Sequence, residues 1–328
     1  MIITRTPLRV CLGGGGTDLK SYYEHKGGFF ISAAINKYLY ISLSKIFKPG
    51  YIIKYSQIEK TERIQQIEHP LVREAFKLHN IPDRIELNCL ADIPAGTGLG
   101  SSGSFTVGLL KAIYELKEHV VTKQHLAEEA CKIEIDFLKR PVGKQDQYIS
   151  SFGGITVFEI DTKGRVTVNP LSISKETFDD LQENLLLFFT GYSRESTTIL
   201  KEQHEKSKKL NSEMIQNLNF IKKLGIKSKN ALISGDLNNF AELMNVHWNY
   251  KKKRSSVMTN PDINLWYELG MNNGALGGKL IGAGGGGFLM FYVKDKVAIR
   301  KAMNDAGLEE VKFNFDYEGT KTVINVGL

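Results

Sequence analysis

Sulfur is scarce in this chain. Its three cysteines among 328 residues, Cys11, Cys89 and Cys131, lie far apart and form no Cys-x-x-Cys pair, which argues against both a disulfide framework and a thiolate zinc site. Each is expected as a small buried apolar group. No apolar run approaches the roughly 20 residues of a membrane-spanning helix. The opening Met1-Ile2-Ile3-Thr4-Arg5 lacks the apolar stretch of a secretion signal, so a cytoplasmic protein with no membrane partner is expected. Internal repeats and low-complexity tails are missing too. Charge of a single sign is also absent: the net +7 arises from basic residues interleaved with acidic ones, and Lys251-Lys252-Lys253-Arg254 is the only basic block. That pattern favours small anionic ligands over nucleic acid.

The most informative absence is a lysine. Residues 94–104 read Pro-Ala-Gly-Thr-Gly-Leu-Gly-Ser-Ser-Gly-Ser, yet Gly100 is followed by Ser101-Ser102 and the next lysine is Lys111. A Walker A loop needs Lys-Ser/Thr at that point. What is present still suits phosphate. Gly96, Gly98, Gly100 and Gly103 let backbone N–H groups approach an anion. The apolar stripe Val107, Leu109, Leu110, Ile113 and Leu116 predicts a helix straight after the loop. Ser104 or a neighbour would cap that helix, and its dipole would add to the attraction. Ser101 and Ser102 place hydroxyls where Mg²⁺ would take an oxygen ligand. A nucleotide kinase outside the P-loop class is expected, its phosphate charge met by backbone amides, Mg²⁺ and residues from elsewhere.

The patterning predicts strands over 2–12, 29–35, 38–46, 51–55 and 84–90, with helices over 69–79 and 124–138. Paired strands follow at 155–160 and 166–168. Residues 185–190 read as a buried central strand. Helices are expected over 196 to about 224, 227–234, 236–250, 260–272 and 295–306. Strands at 278–282, 287–293, 311–317 and 321–326 complete the pattern. The apolar-poor stretch 161–184 suggests a boundary, giving an α+β domain over 1–175 and a second over 176–328.

Three further constellations carry chemistry. In Thr6 to Asp18 a strand bearing Arg9 runs into four glycines, Gly13 to Gly16, and then Thr17 and Asp18. A ligand can touch such a backbone, and Asp18 suits sugar hydroxyls, or alternatively caps the following helix. In Glu134 to Gln147 a helix ends before Pro141 and Asp146 lies in the next loop, two residues after Lys144. A carboxylate near a lysine stays ionised and can accept a hydroxyl proton, while Glu134 could complete a Mg²⁺ shell. In Gly277 to Leu289 the run Gly282 to Gly287 matches G-x-G-x-x-G formally. A strand follows it, however, and residue 302 is alanine, so a hairpin fits better than a dinucleotide site.

Taken together these blocks resemble the galactokinase, homoserine kinase, mevalonate kinase and phosphomevalonate kinase (GHMP) superfamily. Pro94 to Gly103 is similar to its phosphate loop, PxxxGLGSSG, and Arg9, Gly15, Thr17 and Asp18 to its first motif. Gly282 to Gly287 is similar to the third, and Glu134 with Asp146 to the galactokinase fragment E-x₁₁-D-Q. Gly14-Gly15-Gly16-Thr17-Asp18 departs from the galactokinase Gly-Glu-His-Thr-Asp. That form, the segment Thr190 to Arg194 and the block Gly274 to Leu280 look like the D-glycero-D-manno-heptose 7-phosphate kinases.

The resemblance implies a two-domain α+β GHMP kinase fold, with a ribosomal-protein-S5-like N-terminal domain and a ferredoxin-like C-terminal domain. It implies ATP and Mg²⁺ as cofactors, and phosphorylation of the anomeric hydroxyl to the 1,7-bisphosphate that feeds nucleotide-heptose synthesis for surface glycans. ATP is expected on Pro94, Gly96, Gly98, Leu99, Gly100, Ser101, Ser102, Gly103 and Ser104, with Ser102 and Glu134 as metal ligands. Asp146 is expected as the base, with Arg9 and Lys144 offsetting charge. Substrate would meet Gly15, Gly16, Thr17, Asp18, Gly284, Gly285 and Gly286, its far phosphate meeting Arg194 and Lys253. A monomer or homodimer is expected. A kinase of another sugar, such as fucose or galactose, and a catalytically silent sugar sensor stay open as alternatives.

Overall fold

The computed structural model describes residues 1–192 and 197–327. Its first half is built on strands β1 (Ile2–Gly13), β2 (Gly28–Lys45), β3 (Tyr51–Lys54), β4 (Ile58–Thr61), β5 (Ile85–Ala91), β6 (Ile155–Ile160) and β7 (Val166–Pro170). The helices of this half are α1 (Lys20–Lys26), α2 (Pro70–His79), α3 (Ser101–Leu116), α4 (Lys123–Cys131) and α5 (Gln145–Phe152). The second half runs α6 (Lys175–Asn184), β8 (Leu185–Phe189), α7 (Thr197–Lys208), α8 (Ser212–Ser234), α9 (Leu237–Lys252), α10 (Pro261–Asn272), β9 (Gly277–Leu280), β10 (Phe288–Tyr292), α11 (Lys296–Asp305), β11 (Glu309–Glu310) and β12 (Lys321–Asn325).

β1, β2, β5, β3 and β4 lie in one sheet, with β6 and β7 branching from β2. β2 does the work of the two strands expected at 29–35 and 38–46. Asn36 and Lys37 look like a break in the sequence, but β1 follows β2 along its length, from Ile31 to Leu43; the register shifts between Pro7 and Leu8, opposite this pair, and again between Cys11 and Gly13. Asn36 is held by a reciprocal pair of bonds with the Asn314 backbone, at 2.9 and 2.7 Å. Along β2 the partner on the other side changes from β6 to β5. Before the bulge Phe30 and Ala34 pack with α4 and α5, and after it Leu39, Ile41 and Leu43 pack with α2 and α3.

The second sheet is wholly antiparallel, in the order β11-β8-β10-β9. With helices between β8 and β9 and between β10 and β11, this is a split β-α-β ferredoxin-like arrangement. The strand expected at 311–317 does not form: β11 stops at Glu310, and the chain then crosses back toward the first sheet, bridging Phe315 to Ile35. β12 then pairs with β1. The single helix expected over 196–224 is two, α7 and α8, parted around Leu210, whose φ is +52°. No break occurs at 225–226; α8 runs through to Ser234. Helix α6 lies in the stretch read as a boundary, capped by Ser174, whose Oγ accepts from Thr177 N at 3.1 Å.

One core joins the halves. Leu8, Val10 and Leu12 of β1 meet Leu187 of β8, Phe240 and Met244 of α9, and Phe288 and Met290 of β10, all essentially without solvent exposure. Burial of each such side chain favours the fold by about 1.5–3 kcal/mol. This shared core fixes β1 and its Arg9 against the second half, and a cleft lies along its edge.

Candidate active site

The cleft has a volume of about 610 Å³ and is walled by β1, the loop before α3, the start of α5, α9 and the loop between β9 and β10. Two glycine loops meet backbone to backbone here. A Cβ on Gly282 would lie 2.4 Å from Gly98 Cα, and one on Gly287 would lie 2.1 Å from Thr97 O. Both positions also have φ near +81° and +103°, so side chains are excluded twice over. The second run is therefore a hairpin between β9 and β10 that buttresses the first, as expected.

Helix α3 begins earlier than its apolar stripe suggests. Its N-cap is Gly100, in the left-handed region, with no side-chain cap. Ser104 is not a cap: it sits inside the helix, where its hydroxyl donates to Pro7 O at 2.9 Å and lies 2.8 Å from Ser150 Oγ. Ser101, Ser102 and Gly103 of the first turn line the cleft, and Ser101 Oγ is buried with no protein partner. A helix start without a cap of its own suits an anion.

Glu134 sits in a π-helical turn, Lys132–Phe137, that continues α4. Such turns often mark functional sites. Its carboxylate is fully buried and accepts from Ser102 Oγ, from Gln147 Nε2 at 2.8 Å and from Thr106 Oγ1 at 3.3 Å. Burial raises its pKa, opposed by the Ser102 and Gln147 bonds. Arg140 completes the group, 3.0 Å from Ser102 Oγ and 3.4 Å from Glu134 Oε2. Arg140 is a cation that the fold brings to this loop from elsewhere in the chain, and nothing local in the sequence singles it out.

Asp146 lies in the first turn of α5, not in a loop. Arg9 Nε donates to its Oδ1 at 2.8 Å, while Arg9 NH1 donates to Gly98 O at 2.5 Å. A Cβ on Gly103 would come within 2.5 Å of Asp146 Cβ, so only glycine lets α3 and α5 approach this closely. Asp18 accepts from Gly16 N at 3.0 Å and Gln145 N at 3.2 Å, and does not cap α1. Burial, then Asp146, raises its pKa. Asp146, Asp18 and Glu134 therefore ring one cavity.

Several expected positions fall elsewhere. Lys144 turns away: its Nζ donates to Gly164 O at 2.5 Å and lies over the Tyr23 ring, because α5 begins at the next residue and presents Asp146 to the cleft instead. Thr17 is fully buried and its hydroxyl is spent on Gly14 O and Phe29 O, at 2.9 and 2.7 Å. Gly285 is outside the cleft lining and donates to Met258 O at 2.8 Å, while Gly284 and Gly286 line the cleft. Pro94 and Leu99 support the loop from outside the cavity. Lys253 is exposed, over Tyr250. Arg194 lies outside the described residues.

The cleft has two unlike ends. At one, the rings of Tyr55, His69 and Phe105 follow one another with centroids 4.7 Å apart at each step, beside Leu71 and Leu90. His69 caps α2 through Nδ1, and burial lowers its pKa to about 4. At the other end stand His247, Lys251, Arg254 and Lys279, all buried. Residues 247, 251 and 254 recur at helical spacing, a directional signal that separates Lys251 and Arg254 from the exposed Lys253 of the same basic block.

Residues 63–154 match the family described as GHMP kinases N terminal domain, and residues 228–308 the GHMP kinases C terminal. The chain is 32% identical to a D-glycero-alpha-D-manno-heptose 7-phosphate kinase of Campylobacter jejuni, over 98% of each chain. It is 26% identical to the crystal structure of a D-glycero-D-manno-heptose 1-phosphate kinase from Bacteroides thetaiotaomicron, covering 100% of both with a TM-score of 0.81. A Lactococcus lactis galactokinase complexed with galactose shares the fold at 19% identity and a TM-score of 0.76, over 98% of this chain and 94% of that one.

Proposed function

The chain belongs to the GHMP kinase family, and from that membership we propose that it phosphorylates the anomeric hydroxyl of D-glycero-D-manno-heptose 7-phosphate with ATP. The product would be the 1,7-bisphosphate, a precursor of nucleotide-activated heptose for surface polysaccharide. The observation that carries the reading is the place of Asp146. Its carboxylate stands between the uncapped start of α3 and Asp18, fixed by Arg9 from below. A hydroxyl held on Asp18 would meet Asp146 on one side and a phosphoryl group on the glycine loop on the other.

The chain's residues divide the work. The ring wall of Tyr55, His69 and Phe105 takes the nucleobase, since a neutral aromatic slot favours stacking. The first-turn amides of α3 and Arg140 hold phosphate oxygens, replacing the lysine of P-loop enzymes. Ser102 and Glu134, already in contact, fit the hard-oxygen donor set of Mg²⁺, which would offset charge on the phosphates; the unpartnered hydroxyl of Ser101 lies beside them. Arg9 aims the Asp146 carboxylate through its 2.8 Å bond to Oδ1. Asp146 then orients the acceptor hydroxyl and takes its proton.

A coupled ADP-release assay across sugars and sugar phosphates tests this. The largest kcat/KM is expected for D-glycero-D-manno-heptose 7-phosphate, about 10²-fold or more above neutral heptose, galactose and fucose. Equal or better turnover of a neutral hexose would overturn the heptose-phosphate assignment.

A further inference from the structure

The cationic end of the cleft has more charge than its own structure needs. Lys279 donates to Leu12 O at 3.0 Å. Lys251 donates to Leu280 O at 2.9 Å and Gly282 O at 2.5 Å. Arg254 donates through NH1 to Gly15 O at 3.2 Å and through Nε to Asn217 at 3.1 Å, yet its NH2 is buried without any partner. Among the described residues, each of the three cations is held by uncharged oxygens and none by a carboxylate. Arg254 and Lys279 are only 3% and 2% exposed, and both line the cleft. Three buried like charges repel one another, and each has lost its hydration. A fold with so much unmatched charge is completed by an anion.

The surroundings say where that anion belongs. Asp146 precedes a short path through Gln145 N, Asp18 and Gly16 to Arg254, whose NH1 fills the place a Cβ on Gly16 would take. Gln203, also buried, donates to Gly16 O at 3.2 Å and lines the same end. The path begins at the reacting carboxylate and ends at the unpartnered guanidinium edge.

We propose that Arg254, Lys279 and Lys251 form a subsite for a phosphomonoester dianion carried on the acceptor, at the end of the molecule away from the hydroxyl that reacts. This rests on the reading of the chain as a sugar-phosphate kinase and assigns that phosphate its residues. Arg254 NH2 is the principal donor, since it has two N–H groups to give and nothing else to give them to. Lys251 and Lys279 retain donors beyond their carbonyl bonds. Burial and the neighbouring cations lower the pKa of Lys251, and burial lowers that of Lys279 to about 8. The dianion reverses both effects, so its binding draws protons onto the lysines.

Two measurements test the subsite. In the first, Arg254→Gln and Lys279→Met enzymes are assayed with heptose 7-phosphate and with unphosphorylated heptose. The ratio of the two kcat/KM values should fall about 30-fold or more in each variant, whatever general damage they share. A ratio unchanged from the parent enzyme overturns the proposal. In the second, calorimetry follows inorganic phosphate binding to enzyme whose glycine loop is saturated with ADP. Binding should weaken at least tenfold in Arg254→Gln and recover in part in Arg254→Lys; equal binding in all three overturns the proposal. Should the parent enzyme bind phosphate through Arg254 but prefer neutral sugars, the subsite stands and the sugar-phosphate reading fails.

Discussion

The two ends of the cleft are made from opposite materials. At the aromatic end three rings in succession, Tyr55, His69 and Phe105, offer flat neutral surface, and burial keeps both the His69 ring and the Tyr55 phenol in their uncharged forms at neutral pH. At the cationic end Lys251, Arg254 and Lys279 crowd beside His247, and among the described residues the three cations are held by backbone and amide oxygens alone. The first end costs the fold little, because apolar groups are where the hydrophobic effect puts them. The second end costs it a good deal, because buried charge without a partner opposes folding. Binding at the first end tolerates any compound of suitable shape. Binding at the second selects for charge, and selectivity for the acceptor is therefore expected to reside there.

The comparison can be broken most severely at the point where the ends meet. Asp146→Asn should lower kcat by about 10²–10⁴ for every acceptor alike, with ATP still bound. Turnover near that of the parent would remove Asp146 from the chemistry. On the nucleotide side, a Cβ at Gly100 would sit 3.2 Å from both Arg9 and Asp146 at a φ of +84°. Gly100→Val should weaken ATP at least tenfold by calorimetry, while the ratio between phosphorylated and neutral acceptors holds; unchanged affinity would place the nucleotide elsewhere.

pH sharpens the contrast. Lys279 is charged below about pH 8 and His69 is neutral above about pH 4. The value of kcat/KM for the phosphorylated acceptor should fall about three- to tenfold between pH 7.5 and 9.5, and that for ATP should not follow it. Parallel profiles for both substrates would deny the ends their separate character. The smallest effect is on stability. Lys279 has a folded pKa below its ordinary 10.5, so the unfolded chain binds more protons between pH 8 and 10.5. The burden on the fold is full below pH 8 and fades as pH rises. Lys279→Met should raise Tm by about 2 °C at pH 7 and by less at pH 10. A lower Tm at pH 7 would show that the amine's bond to Leu12 outweighs the cost of burying its charge.

How far these features could be read from the chain alone depends on how local they are. The glycine loop, the strand before it and the helix after it are contiguous, so this wall of the cleft is legible in residues 84–116. The spacing of Glu134 and Asp146 is legible too, and the fold brings both to the same cleft. Arg140 is not legible, since its task is defined by Ser102, 38 positions away. A basic block shows charge without direction: the last turn of α9 carries Lys251 inward, the turn after it does the same for Arg254, and Lys253 between them is left outside. Asn36-Lys37 looked like a gap between strands because bulges are written in the partner strand as well. Thr17 resembled a ligand-binding hydroxyl until its bonds to Gly14 and Phe29 showed it closing the turn.

β1 obtains its outer neighbour, β12, from the far side of the sequence, with Ile2 against Asn325 and Arg5 against Lys321. During synthesis the rim of the larger sheet therefore stays open until nearly the whole second half has left the ribosome. An uncovered rim is a template for a strand of any other nascent chain. Pairing between such distant segments also slows the final closing step. The order of emergence thus sets a vulnerable interval, one that ends only when the last strand docks beside the first.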